Sequence, residues 1–431
     1  MPEFDRLLNG GRRQRPGNGK PARHRARAAT LHPIARAVAL TLLFVLAFGS
    51  SVVALTWNRV QGNIETYDID DLLGNRPTAS GSPAPTDINA GRALNILVIG
   101  SDSREGANDV DGAGADGTTS GMRSDTTMLV HVSADRSHVE VVSIPRDTLV
   151  DIPSCTLRDG TTTEPQYDVM FNSAFETGSE GGDLGSAAAC TIRTVEELTG
   201  IYVDDFVVVD FAGFINVVDA LGGVAMYVPE DINDQLAGLQ LEQGCRLLNG
   251  TEALGFARVR KTVGDGSDIS RIGRQQDLVL AIVRDALSTE LLRNPPRLYR
   301  FLDTSTQTLT TGNRIGDVGA LAGLGTSLAS IRVEDIAFIT MPFEWAGYRV
   351  VASRQYADLV WEALRTDTPV DPIYSGDAWA ITEALAQREA AAASPTAEPA
   401  EPATTATPAP SVAPAAPATD DPQLCTRATA S

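Results

Sequence analysis

The sequence contains only four histidines, at positions 24, 32, 131 and 138. Two of them precede a long apolar run, so a Ser-His-Asp hydrolase would have to use His131 or His138. The chain has no GxSxG segment to supply the nucleophile, and it also lacks GxxxxGK[ST] and HExxH. These absences argue against a lipase-like hydrolase, a P-loop nucleotide hydrolase and a zinc peptidase. Acid–base chemistry must therefore depend on carboxylates or contribute little.

Cysteine is also rare, with Cys155, Cys190, Cys245 and Cys425 as the complete set. None lies in a CxxC or other metal-binding spacing, so we do not expect zinc. Four cysteines fit an oxidising environment outside the cytoplasm. Cys155 and Cys190 flank a polar, glycine-rich stretch and are predicted to form a disulfide, with reduced buried cysteines as the alternative. The sequence leaves open whether Cys245 pairs with Cys425 or Cys425 stays free.

Positive charge is concentrated at the beginning of the chain. Residues 1–36 hold nine Lys or Arg and two acidic residues, a net charge of +7, so the total of −20 leaves −27 on the remainder. An acidic body repels a phosphate backbone, which argues against nucleic-acid binding by the main part of the protein. A basic tail on an acidic body instead indicates that the two parts lie in different compartments.

Ala37–Trp57 is an uncharged apolar run of 21 residues. A helix of ~20 residues spans the hydrocarbon core of a bilayer, whereas the core of a signal peptide has ~7–15. We predict an uncleaved transmembrane anchor, with cleavage at the small residues within 47–51 as the alternative. Because basic flanks stay in the cytoplasm, residues 1–36 would form a cytoplasmic tail, and everything after Trp57 would lie outside the cell membrane.

The remainder divides by composition into a stalk, a domain and a tail. Residues 58–92 are polar and contain Pro, Gly and Ser, which is typical of a stalk. Residues 93–367 mix predicted strands with helices, which predicts an α/β domain with helices covering a central sheet. Residues 368–431 contain a helix remnant and an Ala/Pro/Thr-rich tail that we expect to be disordered from residue 390. The predicted strands are 95–100, 126–133, 139–144, 205–211 and 333–341, and the predicted helices are 212–221, 271–292 and 356–364.

Arginines cluster in the second half of this domain. Arg258 and Arg260 are two apart on a segment predicted to be extended, so their side chains would share a face. Arg271, Arg274 and Gln275 share a face of the following helix. The beginning of that helix offers backbone N–H groups, and arginine binds phosphate oxygens through two parallel hydrogen bonds. We therefore predict a phosphate-binding site, with a solvated or salt-bridged surface as the alternative.

Three predicted strand ends carry further polar residues. Asp102 follows the first strand, Asp125 immediately precedes the second and Arg146 follows the third. Loops at strand ends build the ligand sites of α/β folds. Two carboxylates with several arginines have the composition of a site for pyrophosphate and Mg²⁺, in which the carboxylates hold the cation, and Mn²⁺ accepts the same oxygen ligands. Turn capping by the two aspartates is the alternative.

Together these segments resemble the LytR–CpsA–Psr family of cell-wall phosphotransferases. The matching stretches are NILVIGSDSR at 95–104, RSDTTMLV at 123–130, VVSIPRDT at 141–148, FNSAF at 171–175, FVVVDFAGFINVVDALGGV at 206–224, LNGTEALGFARVRK at 248–261 and DISRIGRQQ at 268–276. They keep the family order over about residues 95–290. The resemblance implies a mixed central sheet covered by helices around an apolar tunnel for a polyprenyl tail, preceded by a single transmembrane helix.

The resemblance also implies roles for individual residues. Asp102 and Asp125 match the Mg²⁺-associated aspartates, and Asp102, Arg146 and Arg271 are expected to act in catalysis, with Asp102 as the candidate general base. The pyrophosphate-binding positions are matched by Arg123, Arg146, Asn172, Arg258, Arg260, Arg271 and Gln275. Asn172 matches the asparagine of a Lys-Ile-Asn-like motif, and Met170 stands where that motif usually has lysine. This departure removes one expected phosphate contact and leaves the arginine set whole.

The activity implied is transfer of a phosphate-linked glycopolymer from a polyprenyl-pyrophosphate carrier to peptidoglycan, at the outer face of the membrane. The polymer could be teichoic acid, capsular polysaccharide or arabinogalactan. The expected partners are the lipid-linked polymer, peptidoglycan and the cytoplasmic membrane, and not nucleic acid. The alternatives are a polyprenyl-pyrophosphate pyrophosphatase, a non-catalytic cell-wall scaffold protein and a transcriptional regulator that would contact DNA through its basic tail alone.

Overall fold

The computed structural model describes residues 33–74, 76, 91–102, 122–180, 182–234, 238–259, 268–328, 331–393 and 425. Within these ranges the strands are β1 Glu65–Tyr67, β2 Leu94–Ser101, β3 Ser124–Val132, β4 Val139–Ile144, β5 Leu149–Ile152, β6 Gln166–Met170, β7 Asp205–Val209, β8 Val224–Val228, β9 Ile232–Asp234, β10 Leu239–Leu241, β11 Gly244–Leu248, β12 Leu309–Gly312, β13 Ile336–Thr340, β14 Phe343–Ala346 and β15 Arg349–Ala352. The helices are α1 Pro33–Asn63, α2 Asp70–Leu73, α3 Ser173–Gly178, α4 Leu184–Thr199, α5 Phe211–Leu221, α6 Gly250–Arg258, α7 Asp268–Ala286, α8 Thr289–Leu292, α9 Pro295–Gln307, α10 Val318–Leu328, α11 Arg354–Arg365 and α12 Ala378–Ala393.

Seven of the described strands form a central mixed sheet in the order β1-β12-β7-β2-β3-β4-β13. Strands β2, β3 and β4 are antiparallel neighbours. Strand β7 lies parallel to β2 on its other side, and β13 lies parallel to β4 at one edge. This mixed sheet with helices around it confirms the predicted fold class.

Alternate residues of β2 face opposite sides of the sheet. Leu97 and Ile99 belong to a buried core that includes residues of α4 and α11. Leu94 and Ile96 belong to a second core, to which Val279 of α7 and leucines of α10 contribute. Because side chains alternate along a strand, one apolar run supplies both cores and the sheet lies between two helical layers.

Local capping explains where the helices beside the site begin and end. Asp210 Oδ1 accepts a hydrogen bond from the Gly213 amide at the first turn of α5. The last helical residue, Leu221, is followed by Gly222 in the left-handed conformation (φ 79°). Such a φ favours glycine. Helix α6 begins with a capping box in which Asn249 and Glu252 bond to each other's backbone amides. The predicted end of α5 at Leu221 is confirmed.

Several predicted boundaries are wrong because a helix cap or a turn interrupts the pattern. Helix α7 begins at Asp268 and ends at Ala286, and residues 289–292 form the separate helix α8, whose first turn is capped by Ser288. Phe211 begins α5 instead of ending strand β7, because Asp210 is the cap of that helix. Residues 333–335 form a 3-10 turn, so the following strand starts only at Ile336.

The segment around the paired arginines is not extended at Arg258. Helix α6 continues through Arg258, so Arg258 lies on a helix and the prediction that Arg258 and Arg260 share a strand face is wrong. Arg260 lies outside the described residues. The geometry of the first arginine is therefore set by the end of a helix.

Part of the segment predicted as a stalk is folded. Residues up to Asn63 continue helix α1, and the Asn63 side chain donates to Asp303 Oδ1 of α9 over 3.0 Å. Strand β1 pairs with β12 in the central sheet, and Leu72 and Leu73 are buried in the core. Residues 64–73 therefore belong to the domain, and the rest of the predicted stalk lies largely outside the described residues. At the other end, helix α12 extends to Ala393, beyond the predicted start of disorder at residue 390.

The described residues up to Leu55 form a unit of their own, separate from the unit that begins at Thr56. This first unit consists of the first part of α1, and its described side chains are exposed. The helix Arg36–Asn63 is long and apolar enough to cross a membrane. It covers the run Ala37–Trp57 that was predicted to span the bilayer.

Candidate active site

A cavity of about 590 Å³ lies between the central sheet and helix α7. Its apolar lining includes Val98, Met128, Phe214, Leu278, Val279 and Ile282. Its charged and polar lining includes Asp102, Asp125, Arg258, Arg271 and Gln275. The two aspartates lie at strand ends, whereas Val98 and Met128 face each other further along β2 and β3. The cavity therefore has a charged end and an apolar remainder, as a pocket for an amphipathic molecule requires.

A bulge between β2 and β3 sets the position of Asp125. Gly100 pairs with Thr126 and Ser101 pairs with Ser124, which leaves Asp125 as an extra residue on β3. Bulges of this kind re-aim side chains and are frequent beside active sites. Asp102 follows on the other strand, where its Oδ1 accepts a hydrogen bond of 2.7 Å from the Arg123 amide. The two aspartates predicted to bind metal thus lie next to the same cross-strand pair, Ser101 of β2 and Ser124 of β3.

Two arginines converge on Asp125, one just after β4 and one on α7. Arg146 Nη1 donates to Asp125 Oδ1 over 2.6 Å, and Arg271 Nη2 lies 3.5 Å from the Asp125 carbonyl oxygen. Arg271 is only 3% exposed although it carries a charge. Buried cations interact more strongly with an anion than exposed ones do, because less water screens them. Asp125 and Arg271 line the cavity and are placed to contact one charged head group, and Arg146 pairs with Asp125.

Gln275 and Arg258 border the cavity from two helices. The Gln275 side chain accepts from Thr126 Oγ1 over 3.0 Å and donates to the Ala257 carbonyl over 3.3 Å, which joins α7 to β3 and α6. The Arg258 guanidinium lies 4.9 Å from the centre of the Phe211 ring, within the range of a cation–π contact. Both side chains line the cavity.

Arg123, Arg146 and Asn172 lie beside the cavity and are not among its lining residues. Arg123 is half exposed and donates to Glu176 Oε2 over 2.8 Å, a hydrogen bond that raises the pKa of its guanidinium. The backbone N–H of Asn172 donates to the backbone carbonyl of Arg146 over 3.1 Å. Asn172 therefore supports the backbone of Arg146, and Arg123 is paired with a carboxylate that the sequence did not single out.

The sequence analysis missed three residues that line the cavity, and it grouped with the site one arginine that does not line it. Asp210 and Asp234 supply additional carboxylates to the lining, and Phe211 supplies an aromatic ring. Asp210 follows a strand, which is the signal that identified Asp102, whereas Asp234 stands in a segment without a recognisable pattern. Arg274 was predicted to share a face with Arg271, but its guanidinium donates to the Val259 carbonyl and it is not among the lining residues.

Both cysteine pairs close as disulfides. Cys155 bonds to Cys190 and joins the segment after β5 to α4. Cys245 of β11 bonds to Cys425, which lies 180 residues further along the chain. All four cysteines are thereby paired, and Cys425 is not free.

Among the four aspartates that line the cavity, Asp102 and Asp125 are the two at the ends of the neighbouring strands β2 and β3 that could hold a divalent cation. Both offer carboxylate oxygens, the donors that Mg²⁺ prefers, and both lie at the charged end of the cavity. Mg²⁺ usually binds one or two protein carboxylates and completes its shell with water and phosphate oxygens. Two aspartates beside buried arginines fit that pattern.

The model of the LytR_cpsA_psr family matches residues 61–366. The probable cell wall biosynthesis protein LcpB of Corynebacterium glutamicum is 33% identical over 220 residues, which are 51% of this chain and 48% of that protein. The cell wall biosynthesis protein LcpA of the same species is 28% identical over 330 residues, 72% of this chain and 60% of that protein. The chain thus spans only about half to three fifths of the length of these two relatives.

The polyisoprenyl-teichoic acid–peptidoglycan teichoic acid transferase TagT of Bacillus subtilis is 31% identical to this chain over 285 residues. The match covers 64% of this chain and 78% of TagT. The similarity to a teichoic acid transferase therefore extends over most of that relative.

Proposed function

The chain belongs to the LytR_cpsA_psr family, and from that membership we propose that it transfers a phosphate-linked glycopolymer from a polyprenyl-pyrophosphate carrier to peptidoglycan. Its relatives include a teichoic acid transferase that acts on peptidoglycan and two cell wall biosynthesis proteins. The reaction would take place at the outer face of the membrane, with helix α1 as the anchor and the basic residues 1–36 in the cytoplasm.

One observation carries this proposal, namely the cavity with a charged end and an apolar remainder. A polyprenyl-pyrophosphate has the same division, because its diphosphate is anionic and its isoprenoid tail is apolar. Arg258, Arg271 and Gln275 would bind the diphosphate, and the walls formed by Val98 and Leu278 would bind the tail. Burial of the tail removes apolar surface from water, which contributes roughly 25 cal/mol per Å².

In the proposed reaction, a hydroxyl group of a peptidoglycan sugar attacks the phosphorus that bears the glycopolymer. The bond from this phosphorus to the bridging oxygen breaks, and polyprenyl phosphate leaves. Asp102 would accept the hydroxyl proton, and the backbone amide of Arg123, which donates to its Oδ1, would orient the carboxylate. Arg146 and Arg271 would stabilise the negative charge that develops on the leaving phosphate, because they are positioned before the reaction begins.

Asp102 and Asp125 would hold Mg²⁺ or Mn²⁺ beside the diphosphate. The bound cation would supply charge neutralisation at the phosphate oxygens. Arg146 pairs with Asp125, so the Asp125 carboxylate would contact both the cation and Arg146.

The test is a transfer assay with purified full chain in detergent, a short polyprenyl-pyrophosphate-linked glycan and peptidoglycan fragments. We expect a phosphodiester-linked glycan–peptidoglycan product and release of polyprenyl phosphate, and we expect Arg146→Ala and Arg271→Ala to abolish most of both. Arg332→Ala is the control, because that exposed arginine pairs with Asp335 at the protein surface.

Other outcomes separate the alternatives. Equal release of glycan phosphate with and without peptidoglycan would identify a pyrophosphatase. Near-normal cell-wall attachment in cells that carry both arginine variants would favour a scaffold role and would contradict the assigned site.

A further inference from the structure

A row of three polar residues crosses the central sheet on the side opposite the cavity. Asn95 pairs with His131 across β2 and β3, and His131 pairs with Glu140 across β3 and β4. Directly paired residues point to the same face of a sheet. On β2 that face also carries Leu97 and Ile99, whereas Val98 of the cavity points the other way. All three side chains are buried, with His131 fully inaccessible to solvent.

Two further residues meet this row from neighbouring segments. His138, just before β4, places its Nε2 3.7 Å from Glu140 Oε1. Asp367, in the turn after α11, places its Oδ1 3.0 Å from His131 Nε2. One ligand atom each from His131, His138 and Glu140 lie within 4.8 Å of one another. We call His131, His138, Glu140 and Asp367 the histidine–carboxylate cluster.

The Nδ1 atom of each imidazole already has an oxygen partner. His131 Nδ1 lies 2.7 Å from Asn95 Oδ1, and His138 Nδ1 lies 2.9 Å from Ser137 Oγ. Histidines that bind metals through Nε2 are held in this way, because a hydrogen bond at Nδ1 fixes the tautomer and the orientation of the ring. Both Nε2 atoms are then directed towards the carboxylates.

The charge balance of the cluster also accommodates a cation. Glu140 is 1% exposed, and among the described residues neither Glu140 nor Asp367 forms an ion pair with lysine or arginine. Within the same residues, Glu140 Oε2 and His138 Nε2 are buried atoms without a hydrogen-bond partner. An ionised carboxylate buried without a compensating charge is strongly unfavourable, so Glu140 either stays protonated or binds a cation, and a metal ion would satisfy both Glu140 and His138 Nε2.

We propose that the histidine–carboxylate cluster binds one zinc ion through His131, His138 and Glu140, whose donor atoms already lie within 4.8 Å of one another, and through Asp367, which the ion would draw in from its position beside His131. Two imidazoles and two carboxylates provide the four nitrogen and oxygen donors of a tetrahedral zinc site and would neutralise its charge. Imidazole ligands favour zinc over Mg²⁺ and Ca²⁺. This proposal departs from the expectation of no zinc that the cysteine spacing gave, because its ligands are imidazoles and carboxylates and all four cysteines are held in disulfides.

The ion would join strands β3 and β4 to the turn that follows α11. The cluster lies at the Asn95 end of β2, whereas Asp102 lies at the other end, roughly 20 Å away at ~3.3 Å per residue. Zinc binding is therefore structural and independent of the proposed transfer reaction. Ions would enter past Asp367, whose side chain is 32% exposed.

The test uses the full chain in detergent, produced without a histidine tag, stripped with EDTA and then loaded with Zn²⁺. We expect one zinc per chain by elemental analysis after gel filtration, and a Tm raised by several degrees because zinc binds only the folded state. His138→Ala and Glu140→Gln are expected to lose the bound zinc and the shift in Tm. Glu140→Gln removes a buried charge, so it should fold at least as well as zinc-free wild type.

Two controls separate this site from other metal positions. Asp125→Asn should retain the zinc, because it alters the cavity on the opposite face. The double variant His24→Ala/His32→Ala should also retain it, because these are the remaining histidines of the chain. Zinc content far below one per chain in wild type, or equal zinc content and Tm shift in wild type and Glu140→Gln, would overturn the proposal.

Discussion

Arg146 Nη1 donates a hydrogen bond to Asp125 Oδ1 over 2.6 Å, which joins the residue after strand β4 to the bulged residue of β3. Both side chains are largely buried, at 17% and 29% exposure. A partly buried pair of this kind holds each partner in one orientation. It also means that a change at either residue disturbs the other.

The first prediction concerns this pair. Arg146→Ala should lower kcat for transfer by on the order of 10²- to 10³-fold, because a preorganised donor is lost from the developing charge. Arg146→Lys should be intermediate, since lysine keeps the charge and lacks the planar fork. The double variant Arg146→Ala/Asp125→Asn should lose less than the sum of the two single losses, because the residues interact. Strict additivity in steady-state kinetics would show that the contact is unimportant for the reaction.

The second prediction concerns the divalent cation. EDTA should suppress transfer, and Mg²⁺ or Mn²⁺ added to zinc-loaded protein should restore it. Asp102→Asn and Asp125→Asn should each need more Mg²⁺ for half-maximal rate, because each removes an anionic ligand. Asp335→Asn, which alters an exposed surface pair, is the matched control. An unchanged Mg²⁺ requirement in both site variants would rule out these aspartates as ligands.

The third prediction concerns the apolar part of the cavity. Val279 lines the cavity from α7 and is only partly buried, so Val279→Phe should fill space that is otherwise open. We expect the variant to keep its Tm and to bind less polyprenyl lipid, as measured by mass spectrometry of extracts from purified protein. Leu359→Phe, at an exposed position of α11, provides a bulk-matched control. Equal lipid content in all three proteins would place the lipid elsewhere.

The fourth prediction concerns the disulfides. Peptide mapping without reduction should recover one linked pair that contains Cys155 and Cys190 and another that contains Cys245 and Cys425. Cys155→Ala/Cys190→Ala should lower the free energy of unfolding by about 4 kcal/mol, because the cross-link closes a loop of 35 residues in the unfolded chain. Denaturant titration measures this loss, and reductant should lower the free energy of unfolding of wild type by at least as much, because it cleaves both disulfides. A smaller effect of reductant than of substitution would indicate that packing of the sulfur atoms dominates.

Much of the fold could be predicted because its signals are local. The inner strands consist of apolar, β-branched runs, and β4 was predicted at Val139–Ile144 with both ends correct. The errors lie where a cap or a turn overrides a pattern, as at Phe211, which follows the helix cap Asp210. Residues 64–73 read as a polar stalk because only their pairing with β12 and their packing give them structure.

The candidate site was predictable to a similar extent. Asp102, Asp125 and Arg146 were found because polar residues at strand ends are recognisable in a sequence, and Arg271 and Gln275 because helical spacing places them on one face. The bulge that re-aims Asp125 left no such signal, and neither did the helical conformation of Arg258. Asp234 reaches the cavity from a short strand that no pattern indicated.

The sequence by itself determined the apolar span after the basic tail, the periodicity of the strands and helices, and the family. These follow from neighbours along the chain, since hydrophobic spacing and charge are local properties. Only the tertiary structure decided that Cys245 meets Cys425, that Asp367 meets His131, and that Arg123 pairs with Glu176. Such contacts depend on strand order and on the packing of segments tens to hundreds of residues apart, which composition and spacing do not encode.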